Sequence, residues 1–186
     1  MTNIFLLHGF NVRDGGKKTI GRLSEVLPSA RLVSYGFLGL IGVRFFNDNL
    51  AKMLASLATP DCVLIGHSNA ASIIYEALQL EQCPKIKRIV LIRPALDSNV
   101  DFGSKVERVD VFHHEGDKPV FLSQFLPCHS WGDMGTEGYD GPNDFVFNHN
   151  SEEIFGIPDH SAFAGAGFAH FSGYLKRLLT ETEPVL

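Results

Sequence analysis

Short blocks of consecutive apolar residues alternate along this chain with longer stretches in which apolar residues recur every three or four positions. The blocks Ile4–Leu7, Arg31–Tyr35, 62–66, Arg88–Ile92, Val106–His113 and Phe145–Asn148 are the predicted strands. Most are apolar throughout, the pattern of a strand covered on both faces. Between them, four stretches carry helical spacing. Ile20, Leu23, Val26 and Leu27 share one face of a predicted helix over Lys17–Leu27, stopped by Pro28. Leu50, Met53, Leu54 and Leu57 do the same over Asn47–Ala58, with Asn47 or Asp48 as cap and Thr59-Pro60 as stop. Ala70, Ile73, Ile74, Ala77 and Leu78 define a third helix. Phe171, Tyr174, Leu175, Leu178 and Leu179 define a terminal one.

Strands that are apolar on both faces and separated by amphipathic helices predict an α/β fold. The expected architecture is a three-layer sandwich: a mostly parallel central sheet of about six strands with helices on both faces. At 186 residues the chain is expected to form a single domain over 1–186, with a core large enough to need no disulfide or metal. There is no repeat, low-complexity tract or linker. The glycine-rich, weakly periodic segment Gln124–Asp144 is too long for an ordinary connection and reads as a functional loop or small insertion.

Composition narrows the function classes. With 45% apolar and 20% charged residues the chain is an ordinary globular protein. A net charge of -5 argues against nucleic acid as the main partner, since phosphate binding wants clustered Lys and Arg. Lys85, Lys87 and Arg88 make only a small basic group. Three well-separated cysteines (Cys62, Cys83, Cys128) point to a reduced protein, and with no basic-apolar leader the expected location is cytoplasmic. No apolar run is long enough to span a bilayer. Oligomeric state is left open.

The chemistry begins at Gly66-His67-Ser68-Asn69-Ala70, between the strand 62–66 and the third helix. A serine flanked by small residues at a strand-to-helix turn is the nucleophile-elbow arrangement, in which neighbours two before and two after must let strand and helix approach. The other reading of Ser68 is a plain helix cap. Three further features lie in matching places: His8-Gly9-Phe10 after the first strand, Gly116-Asp117 after a later strand, and a histidine near the C-terminus. Together they resemble the α/β-hydrolase family, in the chain order Ser, Asp, His. The resemblance covers essentially the whole chain, which looks like a small member without a cap domain. Ala70 departs from the usual glycine, and alanine is the smallest replacement.

The resemblance implies a catalytic Ser68, with His160 as its base and Asp117 orienting the imidazole. His160 is favoured because it lies between the last strand and the last helix; a later helix start at Gly165-Ala166-Gly167 would make it His170. Asp97, one strand earlier, is the alternative acid. By position, the backbone N–H groups of Phe10 and Asn69 are the expected oxyanion-hole donors. His8, His67, Trp131 and Phe37 are the expected substrate-binding residues, Phe37 within an aromatic run over 35–46 that reads equally as an apolar lip or as core.

Rival chemistries lack their spacing. No His-Glu-x-x-His helix occurs, so no metal site is expected. Gly15-Gly16-Lys17-Lys18 lacks both the first phosphate-loop glycine at its required offset and a Ser or Thr directly after Lys17, and no G-x-G-x-x-G follows the first strand. The expectation is a cofactor-free serine hydrolase acting on a small-molecule carboxylic ester or thioester through an acyl-enzyme, with amidase and lipase variants open. The alternative is a hydrolase-fold binding module without turnover.

Overall fold

The computed structural model describes residues 2–36, 40–117, 131–155 and 160–180. Among these residues, six strands form one sheet: β1 (Ile4–Leu7), β2 (Ala30–Val33), β3 (Val63–His67), β4 (Arg88–Ile92), β5 (Val109–His113) and β6 (Val146–Asn150). Their order is β2-β1-β3-β4-β5-β6, and every pairing is parallel. The helices are α1 (Leu40–Leu57), α2 (Ala70–Gln79), α3 (Met134–Glu137), α4 (Ser151–Phe155) and α5 (Phe168–Thr180). Among the described residues, two 3-10 turns lie at Ile20–Glu25 and Ala162–Ala164. Among the described residues, no helix is long and apolar enough to cross a membrane.

The apolar strands bury both faces because their side chains alternate. Leu64 of β3, Ile89 and Leu91 of β4, and Val109 and Val111 of β5 pack with Leu54 and Ala55 of α1 and Ile73, Ile74 and Ala77 of α2. Val63 and Ile65, Val90 and Ile92, and Phe112 point the other way. They pack with Ile20 and Leu23 of the first 3-10 turn and Phe171, Leu175 and Leu178 of α5. The sandwich expected from the alternation is therefore the one observed.

An ionic network reinforces the second layer. Asp110, fully buried on β5, accepts hydrogen bonds from Arg88 (2.7 Å), Arg108 (3.0 Å) and His149 Nε2 (2.9 Å). Arg88 also donates to the Leu178 carbonyl of α5 at 2.6 Å, and Tyr174 of α5 bonds His149 Nδ1 at 3.0 Å. The cluster thus joins three neighbouring strands to the last helix.

Two elements differ from expectation. Instead of a helix over Lys17–Leu27, only the Ile20–Glu25 turn forms. The Asp14 carboxylate accepts from Gly16 and Lys18 N–H, and Gly15 and Gly16 hold φ of +66° and +87°. That left-handed turn occupies the backbone where the helix would have to start. Conversely, α1 begins at Leu40, well before Asn47, because a single internal glycine (Gly42) costs a helix only about 1 kcal/mol. Asn47 is then an interior, buried residue of α1, not its cap. Smaller shifts occur at strand ends: Val106 makes an isolated bridge to Ile86, and β5 proper starts at Val109. Residues 124–130 of the long segment lie outside the described residues; its remainder contains the short helix α3.

Candidate active site

Strand order fixes where a site is to be sought. After β1 the chain moves outward to β2, and then crosses back to place β3 on the other side of β1. Connections leaving in opposite directions open a crevice at the C-terminal ends of β1 and β3. Gly9 follows β1 and Ser68 follows β3, so both belong to that crevice.

Ser68 has φ +57°, a left-handed conformation that costs a side-chain-bearing residue about 1–2 kcal/mol. Its neighbours hold it there. The Ser68 N–H donates to Ile92 O (3.0 Å), and Ser68 O accepts from Ala71 N–H (3.0 Å) and Ala95 N–H (3.2 Å). A Cβ on Gly66 would sit 2.7 Å from Ile74 Cδ1 and 3.3 Å from Ala70 Cβ. The space between strand and helix therefore admits one methyl group, supplied by Ala70, which is why Ala at the fifth elbow position is tolerated beside Gly at the first.

The loop after β1 presses on this turn. A Cβ on Gly9 would lie 2.8 Å from Ser68 Cβ, 2.9 Å from His67 O and 3.4 Å from Ser68 Oγ, so only glycine lets the two backbones approach this closely. Phe10 follows, its ring 5.1 Å from that of Trp131. Among the described residues, neither the Phe10 nor the Asn69 N–H donates to a protein acceptor. The Asn69 side chain is fully buried and ties three elements together. Trp131 Nε1 donates to its Oδ1 at 2.8 Å, and its amide donates to Asn47 Oδ1 of α1 at 3.3 Å.

His160 Nδ1 lies 2.9 and 2.7 Å from the two carboxylate oxygens of Asp117, which is fully buried on the loop after β5. The His160 ring packs on that of His67, the residue before Ser68, at 4.6 Å between centroids, and His67 Nε2 contacts the His160 carbonyl at 3.2 Å. The imidazole thus sits against the elbow with Nδ1 engaged. Among the described residues, Ser68 Oγ itself makes no hydrogen bond. The alternatives considered for base and acid are elsewhere: His170 is exposed on α5, and Asp97 is exposed and faces the backbone of Gly132.

The residues expected at the substrate divide. His8 is fully buried, stacked on Tyr35 at 4.0 Å, with Nδ1 against Gly9 O (2.9 Å) and the Tyr35 hydroxyl donating to its carbonyl. Burial lowers its pKa against the smaller opposing effects of that hydrogen bond and of Asp14. His67 is also buried, between His160 and Phe163. Its pKa is held well below the ordinary value, first by burial and then by repulsion from His160. Both rings are packing elements under the elbow, closed off from solvent. Trp131 is buried beside Phe10 as a strut on Asn69, and Phe37 lies outside the described residues.

Sequence reasoning missed Arg93. Its guanidinium is buried and approaches Asp117 Oδ2, an oxygen of the carboxylate that holds His160, at 3.4 Å. The available signal was an arginine directly after Ile89-Val90-Leu91-Ile92, since a charge at the end of a buried strand needs a buried partner. Asn47 carried no such signal.

A six-stranded parallel sheet covered on both faces, with a left-handed serine at the turn after its third strand, is the α/β-hydrolase fold, and this chain has it. Solved structures share that fold. One is a protein of Pectobacterium atrosepticum provisionally described as a YdeN-like hydrolase, with TM-score 0.52 and 17% identity over 96% of this chain and 89% of that one. Another is the thioesterase domain SrfTE, which cyclises the lipopeptide antibiotic surfactin, with TM-score 0.50 and 14% identity over 98% of this chain and 94% of that one. No protein-family model and no curated protein matches the sequence.

Proposed function

We propose that the protein is a serine hydrolase of carboxylic esters or thioesters. Ser68 is the nucleophile, His160 the general base and then acid, and Asp117 the residue that orients His160. The observation that carries this reading is the bond from His160 Nδ1 to buried Asp117, which leaves Nε2 as the imidazole's basic atom beside the elbow.

In the first half-reaction Ser68 Oγ attacks the carbonyl carbon and its proton passes to His160 Nε2. The Phe10 and Asn69 N–H groups, which have no protein acceptor among the described residues, stabilise the oxyanion. Collapse breaks the bond to the leaving oxygen or sulfur, which takes the proton from His160. Water then attacks the acyl-enzyme, gives its proton to His160 and releases the acid, with that proton returning to Ser68. The Ser68–His160 hydrogen bond is made as substrate binds, a tightening usual for catalytic pairs. The thioesterase domain SrfTE, which cyclises a lipopeptide, has the same fold, and acyl transfer is in keeping with that likeness as an analogy of fold alone.

The test pairs labelling with turnover. Wild-type protein is expected to react covalently with a fluorophosphonate at Ser68 and to hydrolyse p-nitrophenyl acetate, and Ser68→Ala to do neither. A folded wild type inert in both assays would instead favour a binding module. We also propose a cytoplasmic location, in keeping with Cys62 and Cys83 as buried free thiols.

A further inference from the structure

We propose that Arg93 is a positioning residue that keeps the site's base unprotonated. It acts through Asp117 and biases His160 toward the neutral imidazole. The inference rests on the assignment of His160 as base and adds a residue which that assignment does not require.

Arg93 stands where β4 leaves the sheet. Its N–H donates to Phe112 O of β5 at 2.8 Å, and the preceding carbonyl, of Ile92, accepts the Ser68 N–H. Its own φ is +49°, a left-handed value that a side-chain-bearing residue adopts at a cost. That backbone turn delivers the guanidinium to the carboxylate: Asp117 Oδ2 lies 3.4 Å from the Arg93 terminal nitrogen and 2.7 Å from His160 Nδ1. Arg93 and Asp117 are both essentially without solvent contact, so water screens little of the interaction.

Among the described residues, the charged and titratable groups set against His160 are Asp117 after β5, Arg93 after β4 and His67 at the end of β3. His67 is buried and held neutral. The fixed positive charge of Arg93 shares the Asp117 carboxylate with His160, so it repels a proton added to the imidazole, and in these buried surroundings the repulsion is little screened. Removing the arginine's charge removes that repulsion and leaves the attraction of Asp117 for the imidazolium. The arginine therefore favours the unprotonated base, while Asp117 alone would favour the imidazolium. A carboxylate shared in this way orients the ring without overcommitting it to a proton.

The experiment follows kcat/KM for p-nitrophenyl acetate against pH in wild type, Arg93→Gln, Arg93→Met and Arg93→Lys. Gln keeps a donor and Met keeps the bulk, so either folded variant reads the loss of charge. The acid limb is expected to move up by about one pH unit in the neutral variants, the scale of a neighbouring charge. Lys is expected to return most of that shift. A structural role alone would lower kcat/KM at every pH and leave the limb in place, and that outcome overturns the proposal. NMR titration of the His160 ring, identified by its loss in His160→Gln, reads the same displacement without turnover. If wild type turns over only with Ser68 intact and neither limb nor titration moves, Arg93's role falls alone. If Ser68→Ala retains wild-type turnover while the His160 titration still moves, the hydrolase reading falls and the electrostatic coupling stands.

Discussion

Replacing Asp110 with asparagine removes the anion at the centre of the network that fastens α5 to the sheet. Burial alone pushes the Asp110 carboxyl pKa up, but hydrogen bonds from His149, Arg88 and Arg108 overcome it and hold the value at about 2, against 3.8 for a free side chain. At about 1.4 kcal/mol per unit, ionised Asp110 stabilises the fold by about 2 kcal/mol. The substitution would also strand the Arg88 guanidinium, itself only 10% exposed, and losing one partner of a buried pair costs about 3–5 kcal/mol. The expected loss at pH 6 is thus at least about 2 kcal/mol. Because the folded-state value is depressed, the contribution is complete well above 3.8 and disappears as pH falls toward 2. At pH 3 roughly half of it is left. Urea unfolding followed by circular dichroism at pH 6 and pH 3 measures this directly. The gap between wild type and Asp110→Asn should narrow by about 1 kcal/mol over that interval. An identical gap at both pH values, or a variant within about 0.5 kcal/mol of wild type at pH 6, would refute the electrostatic account.

Further outcomes are expected at and near the site. In Gly9→Ala the new methyl meets Ser68 Cβ at 2.8 Å and His67 O at 2.9 Å, so the loop carrying the Phe10 N–H must retreat. Steady-state ester hydrolysis should show kcat/KM reduced on the order of 100-fold, the worth of one oxyanion donor. Trp131→Phe strips the 2.8 Å donor from the buried Asn69 Oδ1, leaving an Asn47 amide at 3.5 Å. Chemical denaturation should register a loss of about 1–3 kcal/mol. Glu76 has its pKa raised to about 7, first by burial and then by Asp48. Since the folded value lies above the ordinary 4.5, the ionised group costs stability progressively as pH rises from 4.5 through 7. Glu76→Gln should therefore raise the thermal midpoint at pH 8 but not at pH 4.5, by a gain on the order of 1 kcal/mol after solvent screening.

What the sequence disclosed was whatever depends on neighbours in the chain. Arg88–Ile92 was legible as a strand to the residue, because five residues buried on both faces leave no other pattern. The turn at Ser68 was legible because its requirements, an apolar strand, small flanks and a helix, all fall within a few positions. Helix starts were harder. The 3-10 turn at Ile20–Glu25 follows from a side-chain contact of Asp14, and α1 begins just after Gly36 and Gly39, within an aromatic run whose pattern favours no single conformation.

Arg93 marks where such local reasoning stops, and the reason is register. Parallel pairing sets Ile92 of β4 opposite Phe112 of β5, so Arg93, just past β4, comes level with the last residue of β5, beside the loop that leaves it. That loop carries Asp117, 24 positions further along the chain. Neither residue advertises the other, since an arginine before a proline and an aspartate in a Gly-Asp turn are both commonplace. The sheet alone brings them to 3.4 Å. An acid in an open loop would be shielded by water; an acid at 0% exposure needs a counter-ion, and the strand beside it is the nearest scaffold able to supply one. The arginine is thus a consequence of burying the acid. On the proposed assignment, the same burial that would make Asp117 a firm orienting group for His160 makes a compensating cation necessary, and that cation would set how readily the histidine takes up its proton.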